Sequence, residues 1–223
     1  MILLIDKPKW RTSFDVVKKI RNKQEWKTKV WHSWTLDPMA TWLLVIWTDK
    51  DTKSLADIQK LDKEYIANID FSVYTDTWDM DYHNSINYAD LVKTDDGLKW
   101  IRKSWKFIKA PNIEDINNKL DMIIPEFNLP LPDFSAKKIK WKKSYDLARA
   151  WKTLNREQVM KIISYEILSY DFPNLEIKIT VWSWTYIRSI AYWLWKEFDL
   201  YWTLSYLRRT RVWLYKVEDA KLI

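Results

Sequence analysis

Glycine is almost missing from this chain, and its scarcity constrains the fold more than any other feature of the sequence. Among 223 residues there is one glycine, against 17 tryptophans. Tight turns and close backbone approaches need φ > 0, which glycine adopts at no steric cost and tryptophan does not. The chain must therefore make its turns without glycine, or it carries glycine where tryptophan is written.

The tryptophans stand where turn chemistry favours glycine. Average usage predicts about 7% glycine, roughly 16 residues at this length, and the tryptophans and the single glycine together come close to that count. Trp10, Trp78 and Trp141 lie in polar, turn-like segments. We hypothesise that most of these tryptophans are codons that the host reads as glycine, as in bacteria that assign UGA to glycine. The alternative is a tryptophan-rich surface that binds sugars or membranes, which would cluster its indoles instead of scattering them.

Length, charge and cysteine count limit the class of protein. With 223 residues, 48% of them hydrophobic, the chain suits one domain over residues 1–223, and no apolar run reaches the roughly 20 residues of a membrane helix. The absence of cysteine excludes disulfides and thiol catalysis and fits a reducing cytoplasm. Two histidines make a histidine-rich metal site unexpected. The net charge of +7 indicates a polyanionic partner such as nucleic acid.

One stretch concentrates residues that can do chemistry. Residues 30–42 read V-W-H-S-W-T-L-D-P-M-A-T-W and lead into an apolar run at 43–46. Pro38 fixes its own φ and biases Asp37 towards an extended conformation, which can hold the carboxylate out as a presented group. Spacing alone also fits an Asx-type turn before a buried strand, and both interpretations stay open on the residues alone.

The stretch resembles the catalytic loop of the TruB family of tRNA pseudouridine synthases, whose pattern is G-H-T/S-G-x-L-D-P-x-A-x-G. Every position matches except three family glycines, which are Trp31, Trp34 and Trp42 here. The resemblance implies that Asp37 is the catalytic aspartate. It also implies that His32 fills the space that a flipped base leaves in the RNA.

Further family motifs follow along nearly all of residues 2–213. The chain has D-K-P at 6–8, D-K-x-Y at 62–65, T-D-T-x-D at 75–79, S-x-T-Y-I-R at 183–188 and L-x-x-L-R-R-T at 204–210. The resemblance assigns catalytic roles to Asp37, Arg188 and Tyr65, with Arg188 pairing with Asp37 and Tyr65 stacking on the target base. It assigns substrate contacts to His32, Tyr186, Leu207, Asp79 and Lys7, with Asp79 as a polar support.

Two of these residues have a reading that is independent of the family. Tyr65 lies in an alternating pattern, so a core aromatic on a buried strand face fits as well as a base platform. Arg188 stands at a predicted helix start, where the macrodipole disfavours a cation unless an anion compensates it. That conflict indicates an anionic partner for Arg188.

The resemblance implies an α+β fold, the pseudouridine synthase fold, with a large mixed, mostly antiparallel sheet, flanking helices and a central cleft. It implies a bacterial, cytoplasmic isomerase that acts on the tRNA T-stem-loop by base flipping, without metal or cofactor and without membrane association. We expect a monomer with one catalytic domain and no appended C-terminal RNA-binding domain. The alternative is a catalytically inactive tRNA-binding or chaperone protein on the same scaffold.

Local patterns predict the main elements. Alternation and short apolar runs predict strands at 2–5, 43–47, 65–73, 159–170 and 175–181. Helical spacing predicts helices after Ser13, over 51–61, over 113–124 with Asn112 as N-cap, and after Tyr186. Residues 82–111 show no periodicity, and no element is predicted there.

Overall fold

A computed structural model describes residues 1–9, 11–22, 29–32, 39–48, 60–80, 86–93, 99–103, 106–133, 135, 138–139, 142–143 and 156–222. Asp37 and most of the helix predicted over 51–61 lie outside these ranges. The helices are α1 (Ser13–Asn22), α2 (Ile113–Asp121) and α3 (Ile187–Phe198), with a 3₁₀ turn at Val217–Asp219. The strands are β1 (Ile2–Lys7), β2 (Val30–His32), β3 (Thr41–Thr48), β4 (Lys63–Asp70), β5 (Val73–Thr75), β6 (Ile86–Tyr88), β7 (Asp90–Lys93), β8 (Lys99–Lys103), β9 (Lys106–Lys109), β10 (Glu126–Pro130), β11 (Lys138–Ile139), β12 (Lys142–Lys143), β13 (Glu157–Asp171), β14 (Asn174–Val181), β15 (Thr203–Val212), β16 (Tyr215–Lys216) and β17 (Lys221–Leu222).

A ten-stranded sheet organises the described part of the chain. Its strand order is β10-β13-β14-β4-β15-β3-β1-β17, with β16 paired to β15 and β2 paired to β3. The β15–β3 and β1–β17 pairs are parallel, and the other pairs described for this sheet are antiparallel. This confirms the predicted α+β fold with a large mixed, mostly antiparallel sheet.

The central strands carry the core because their side chains alternate across the sheet. In β4 the residues Lys63, Tyr65, Ala67 and Ile69 are buried and their neighbours are half-buried, as the period-2 pattern predicts. Strand β3 is buried at every position from 42 to 48, because it packs on both faces. The strands predicted at 43–47, 159–170 and 175–181 are confirmed.

Helix capping follows the sequence at α2 and departs from it at α1. Asn112 caps α2 and forms a reciprocal capping box with Asp115, as predicted. At α1 the expected cap, Ser13, is wrong by one residue. The cap is Thr12, whose hydroxyl accepts from the backbone N–H of Asp15 at 3.1 Å, while the Asp15 carboxylate accepts from the Thr12 backbone N–H at 2.8 Å. Ser13 is buried as the first helical residue instead.

Between β4 and α2 along the chain, two small sheets form, and strands β6 to β9 of these sheets lie in residues 82–111, where no element is predicted. Strand β6 pairs with β5, and β7, β8 and β9 form a separate three-stranded antiparallel sheet. No clear periodicity is visible in this region because β7 to β9 are four or five residues long and rich in lysine. Within the described ranges, no helix has the length and apolarity needed to cross a membrane.

Candidate active site

The T-D-T-x-D segment forms a tight loop that is fixed to β15. The backbone N–H of Trp78 donates to the Thr75 carbonyl at 3.2 Å, and the Leu204 N–H donates to the Trp78 carbonyl at 3.2 Å. The Thr75 hydroxyl donates to the Asp79 carbonyl at 2.7 Å and lies 3.0 Å from the Thr203 hydroxyl. These bonds hold the Asp79 side chain in one orientation.

Asp79 forms a buried ion pair with Arg188. The Arg188 Nη1 atom lies 3.0 Å from Asp79 Oδ2, and the side chains are only 5% and 3% exposed. The same Nη1 donates to the Thr77 carbonyl at 2.8 Å, and the Thr77 hydroxyl donates to Asp79 Oδ1 at 3.1 Å. A charge buried to this degree needs hydrogen bonds and a counter-ion, and the loop supplies both.

The pair explains why the fold tolerates a cation at the start of a helix. Arg188 is the second residue of α3, where the unsatisfied N–H groups and the macrodipole repel positive charge. The carboxylate of Asp79 compensates that repulsion. The sequence indicated an anionic partner, and among the described residues this partner is Asp79. The predicted Arg188–Asp37 pair involves a residue outside the described ranges and stays a prediction.

Tyr65 lies in the interior, beside a second buried cation. It is on β4 opposite Arg209 of β15, and it is 5% exposed. Arg209 is fully buried and donates from Nε and Nη2 to the Leu43 carbonyl, at 3.2 and 2.7 Å. Burial lowers the pKa of the Arg209 guanidinium, and the charge of Tyr65 and its hydrogen bond to Arg209 partly offset that effect.

Lys63 is a third buried cation on the same side of β4. Its Nζ atom donates to the Ser183 hydroxyl at 3.2 Å and to the Leu61 carbonyl. Burial, reinforced by the nearby charge of Arg209, lowers the pKa of Lys63 from 10.5 to about 7, and Asp62 opposes the shift. Lysines with pKa values near neutrality are typical of functional sites. The D-K-x-Y motif contained this residue, but the resemblance drew attention only to its tyrosine.

The remaining predicted site residues lie in different environments. Leu207 on β15 is buried in the main core, opposite Ala67. Tyr186 precedes α3, is half-buried, and its backbone N–H donates to the sulfur of Met160 at 3.4 Å. His32 ends β2 opposite Ile46 and is half-buried. Contact of any of them with a base stays a prediction.

Lys7 is buried, and its amine contacts backbone carbonyls of the described chain. It is fully buried, its Nζ atom donates to the carbonyls of Pro8 and Arg11 at 2.6 and 2.5 Å, and it lies 4.0 Å from the centroid of the Trp42 ring. These contacts tie the loop after β1 to the start of β3. The predicted contact of Lys7 with RNA has no support from this geometry and stays a prediction.

The sheet brings the end of the predicted catalytic loop to β15. Strand β3 begins at Thr41, four positions after Asp37, and Thr41 lies opposite Arg208. Arg208 donates to the Thr41 hydroxyl at 3.1 Å and forms a two-pronged pair with Asp6, at 3.1 and 2.7 Å. Sequence reasoning did not assign a role to Arg208 or Arg209, although both belong to the L-R-R-T motif.

The described site contains carboxylate, guanidinium, phenol and amine groups. Within the described ranges, no three histidine, cysteine, aspartate or glutamate side chains come together as metal ligands. The buried guanidinium groups can pair with an anion and the phenol offers an aromatic surface, which suits chemistry on a base or a sugar.

Comparison with solved structures defines the fold class. The chain matches the structure entitled "Crystal Structure of a Cbf5-Nop10-Gar1 Complex" with a TM-score of 0.67 and 22% identity, over 100% of this chain and 51% of the other. It matches an H/ACA RNP bound to a substrate RNA containing 2′-deoxyuridine with a TM-score of 0.66 and 19% identity, over 99% of this chain and 50% of the other. The chain therefore shares the fold of these proteins and spans about half of their length.

Sequence comparison gives the family. Residues 18–187 match the TruB family pseudouridylate synthase (N terminal domain). The chain is 35% identical to tRNA pseudouridine synthase B of Protochlamydia amoebophila, over 86% of this chain and 66% of the relative. It is 34% identical to the protein of that name from Chlamydia abortus, over 86% of this chain and 73% of the relative. The chain belongs to the TruB family, and it spans about two thirds of these relatives.

Proposed function

We propose that this chain is a bacterial tRNA pseudouridine synthase, an isomerase that converts one uridine of the T-loop to pseudouridine. The observation that carries the proposal is the buried Arg188–Asp79 pair, whose two residues stand in motifs that resemble those of the TruB family. A buried ion pair adds little net stability compared with apolar packing, so its presence favours a functional role. The relatives named tRNA pseudouridine synthase B support tRNA as the substrate.

The reaction needs a charged carboxylate and no cofactor. The bond between N1 of the uracil and C1′ of the ribose breaks, the base turns, and a bond forms between C5 and C1′. C5 loses a proton and N1 gains one, so the product is an isomer and no oxidant or reductant is consumed. In the proposal Asp37 acts at this step, as nucleophile or as electrostatic support for a glycosyl cation.

Arg188 connects the described part of the site to Asp37 in this proposal. Its guanidinium keeps the Asp37 carboxylate ionised in a partly dry pocket. Asp79 and the Thr77 carbonyl hold Arg188 from the other side. Asp79 is then a positioning residue that acts through Arg188.

The target uridine is stacked within an RNA loop, so it must turn out of the stack to react. In the proposal Tyr65 stacks on the face of the flipped base, Leu207 and Tyr186 line the pocket that holds it, and His32 fills the space that the base leaves in the RNA. Lys7 supports this pocket by holding the loop after β1 through the carbonyls of Pro8 and Arg11.

The test is release of tritium from tRNA labelled at C5 of uridine, together with mapping of pseudouridine. We expect wild-type protein to modify one T-loop uridine, and Asp37→Asn to fall below about a hundredth of that rate while it keeps its tRNA affinity, which rests on phosphate contacts. Asp219→Asn, an exposed carboxylate on the 3₁₀ turn, is the matched control. Wild-type binding without turnover would favour the inactive tRNA-binding alternative instead.

We also propose that the protein works as a monomer in the cytoplasm. The absence of cysteine fits a reducing compartment, and the relatives act on tRNA by their names. Sedimentation of the protein with and without tRNA tests the monomer, and a dimer at micromolar concentration contradicts it.

We further propose that the native protein has glycine at most of its tryptophan positions. Of the four non-glycine residues with positive φ among those described, three are Trp78 (68°), Trp184 (69°) and Trp213 (52°), a region that favours glycine. Trp42, Trp47 and Trp202 are fully buried, and their indole nitrogens have no hydrogen-bond partner in the described chain, which costs stability. The positions proposed as glycine are Trp10, Trp31, Trp34, Trp42, Trp47, Trp78, Trp141, Trp151, Trp184, Trp195, Trp202 and Trp213.

Mass spectrometry of the protein from its own host decides this proposal. Glycine in the peptides that cover positions 31 and 34 supports it. Tryptophan in those peptides contradicts it, and the turns are then made with strained indole residues.

A further inference from the structure

The three-stranded sheet of β7, β8 and β9 has no role in the proposed reaction. Residues 99–109, which run from the start of β8 to the end of β9, contain five lysines or arginines and no acidic residue. Strand β9 itself reads K-F-I-K. The segment that forms β8 and β9 is therefore strongly basic.

The sheet is fixed to the body of the protein, so its outer surface has a defined place. Ile108 packs against the main core, and Lys106 pairs with Asp199 at the end of α3, with 2.7 Å between Nζ and Oδ2. The Tyr170 hydroxyl donates to the Pro111 carbonyl at 2.6 Å, just after β9. These contacts hold the small sheet against the end of α3 and β13.

The side of β9 opposite Ile108 faces solvent and combines an aromatic ring with a cation. Phe107 is 54% exposed, and Lys109 on the same face is exposed. The register places Arg102 of β8 opposite Phe107, and Trp100 opposite Lys109.

The lysines alone would not indicate a ligand, because charged residues on short strands also serve to prevent edge-to-edge aggregation. That role does not account for the large exposed aromatic ring of Phe107, which stands between Lys106 and Lys109 on β9. Aromatic rings on a sheet surface next to basic residues are the arrangement that binds RNA, because bases stack on the rings and the cations contact phosphates.

We propose that the β7–β9 sheet, with Phe107 and Lys109 at its centre, is an accessory RNA-binding surface. It contacts the phosphate backbone and an unpaired base of the tRNA substrate outside the reaction site. The proposal rests on the proposed function, which supplies the tRNA. It adds a second point of contact, which increases affinity and fixes the orientation of the RNA without taking part in bond breaking.

The experiment measures tRNA binding by the full chain at several salt concentrations, using fluorescence anisotropy of a labelled tRNA transcript. Phe107→Ala removes the stacking ring, and we expect the Kd to rise at least about fivefold with little change in salt dependence. Lys109→Gln removes one phosphate contact, and we expect the slope of log K against log salt to fall by about 0.7–0.9. In turnover assays the loss should fall on KM for tRNA more than on kcat.

A control variant removes an exposed lysine and an exposed apolar residue elsewhere. Lys221 and Leu222 lie on β17 at the opposite edge of the main sheet, and both are exposed, Leu222 by 84%. The Lys221→Ala/Leu222→Ala variant should keep the wild-type Kd and salt slope. Melting curves establish that each variant is folded, which we expect because Phe107 and Lys109 are exposed. Phe107→Leu provides a milder second variant that keeps an apolar side chain but removes the stacking ring.

The outcomes separate this inference from the proposed function. If wild-type protein does not bind tRNA, both are overturned. If wild-type protein modifies tRNA while the Phe107 and Lys109 variants bind as tightly and with the same salt slope, only the accessory surface is overturned, whatever other partner that surface has. An equal loss in the β17 control also overturns it, because the effect is then not specific to this sheet.

Discussion

Removing the Asp79 carboxylate should destabilise the protein strongly, because it leaves the Arg188 guanidinium buried without this counter-ion. The two side chains are 3% and 5% exposed and 3.0 Å apart. Breaking a pair buried to this degree typically costs about 3–5 kcal/mol, a large part of the roughly 5–15 kcal/mol stability of a domain. We expect the cost of Asp79→Asn to be about 3 kcal/mol, the lower end of this range, because an amide oxygen still accepts from the Thr77 hydroxyl. The cost of Asp79→Ala should lie near the upper end.

The assay is urea unfolding followed by circular dichroism. Glu126→Gln is the matched control, since it removes the carboxylate of a pair with a similar 3.3 Å distance whose side chains are 51% and 60% exposed. An exposed pair contributes about 0–1 kcal/mol, so burial and not distance should decide the difference. If Asp79→Asn costs no more than Glu126→Gln, the inference that the buried charge governs stability here is wrong.

A double-mutant cycle separates loss of the pair from burial of an orphan charge. Replacing both partners, as in Asp79→Leu/Arg188→Met, removes both charges, so its cost should be smaller than the sum of the single changes. Activity should behave differently. The double variant should recover stability but not turnover, because the proposed function requires the guanidinium of Arg188 beside the reacting carboxylate.

Three further predictions follow from buried or strained residues. Arg188→Lys should lower the free energy of unfolding by about 1–3 kcal/mol and impair turnover, because an ammonium cannot reproduce the fork geometry; a fully active, equally stable variant would contradict this. The folded pKa of Lys63 is about 7, below its ordinary 10.5. The unfolded chain therefore binds more protons between these pH values, and the free energy of unfolding should rise with pH from about 7 to 9. The Lys63→Met variant should be more stable than wild type at pH 7 and should lose this pH dependence; an unchanged dependence would contradict the role given to Lys63. In the protein made with tryptophan, Trp184→Gly should raise the melting temperature. It relieves about 1–3 kcal/mol of backbone strain at φ 69°, which exceeds the roughly 0.4–1 kcal/mol entropic cost of glycine. The control is Trp182→Gly, two positions earlier and without positive φ, which should not raise the melting temperature.

The elements that could be predicted from sequence are those whose pattern is local. Strand β4 alternates cleanly because one set of its side chains enters the core, and α2 shows both its apolar face and its capping residue Asn112. The strands β7 to β9 could not be predicted, since each is too short for a period to be visible. The Tyr170–Pro111 hydrogen bond anchors the chain just after β9, and a sequence pattern does not reveal such a contact.

The partner of Arg188 shows the limit of sequence reasoning at the site. The helix start made an anion necessary, and that electrostatic requirement holds whatever the fold. Which anion satisfies it depends on β15, because the T-D-T-x-D loop takes its position from backbone hydrogen bonds to Leu204. The family motif placed Asp79 near the site without stating what it binds.

The sheet order explains why motifs that are far apart in sequence belong to one site. Strand β4 carries Lys63 and Tyr65, its neighbour β15 carries Leu207 and Arg209, and β3 on the far side of β15 begins just after the predicted catalytic loop. Parallel pairing of β15 with β3 is limited to two residue pairs near Thr41, so this contact fixes the end of that loop at one point. A change that weakens the β15–β3 contact should therefore affect Asp37 and Arg209, which donates to the Leu43 carbonyl of β3, before it affects Lys63, which β4 and Ser183 hold independently.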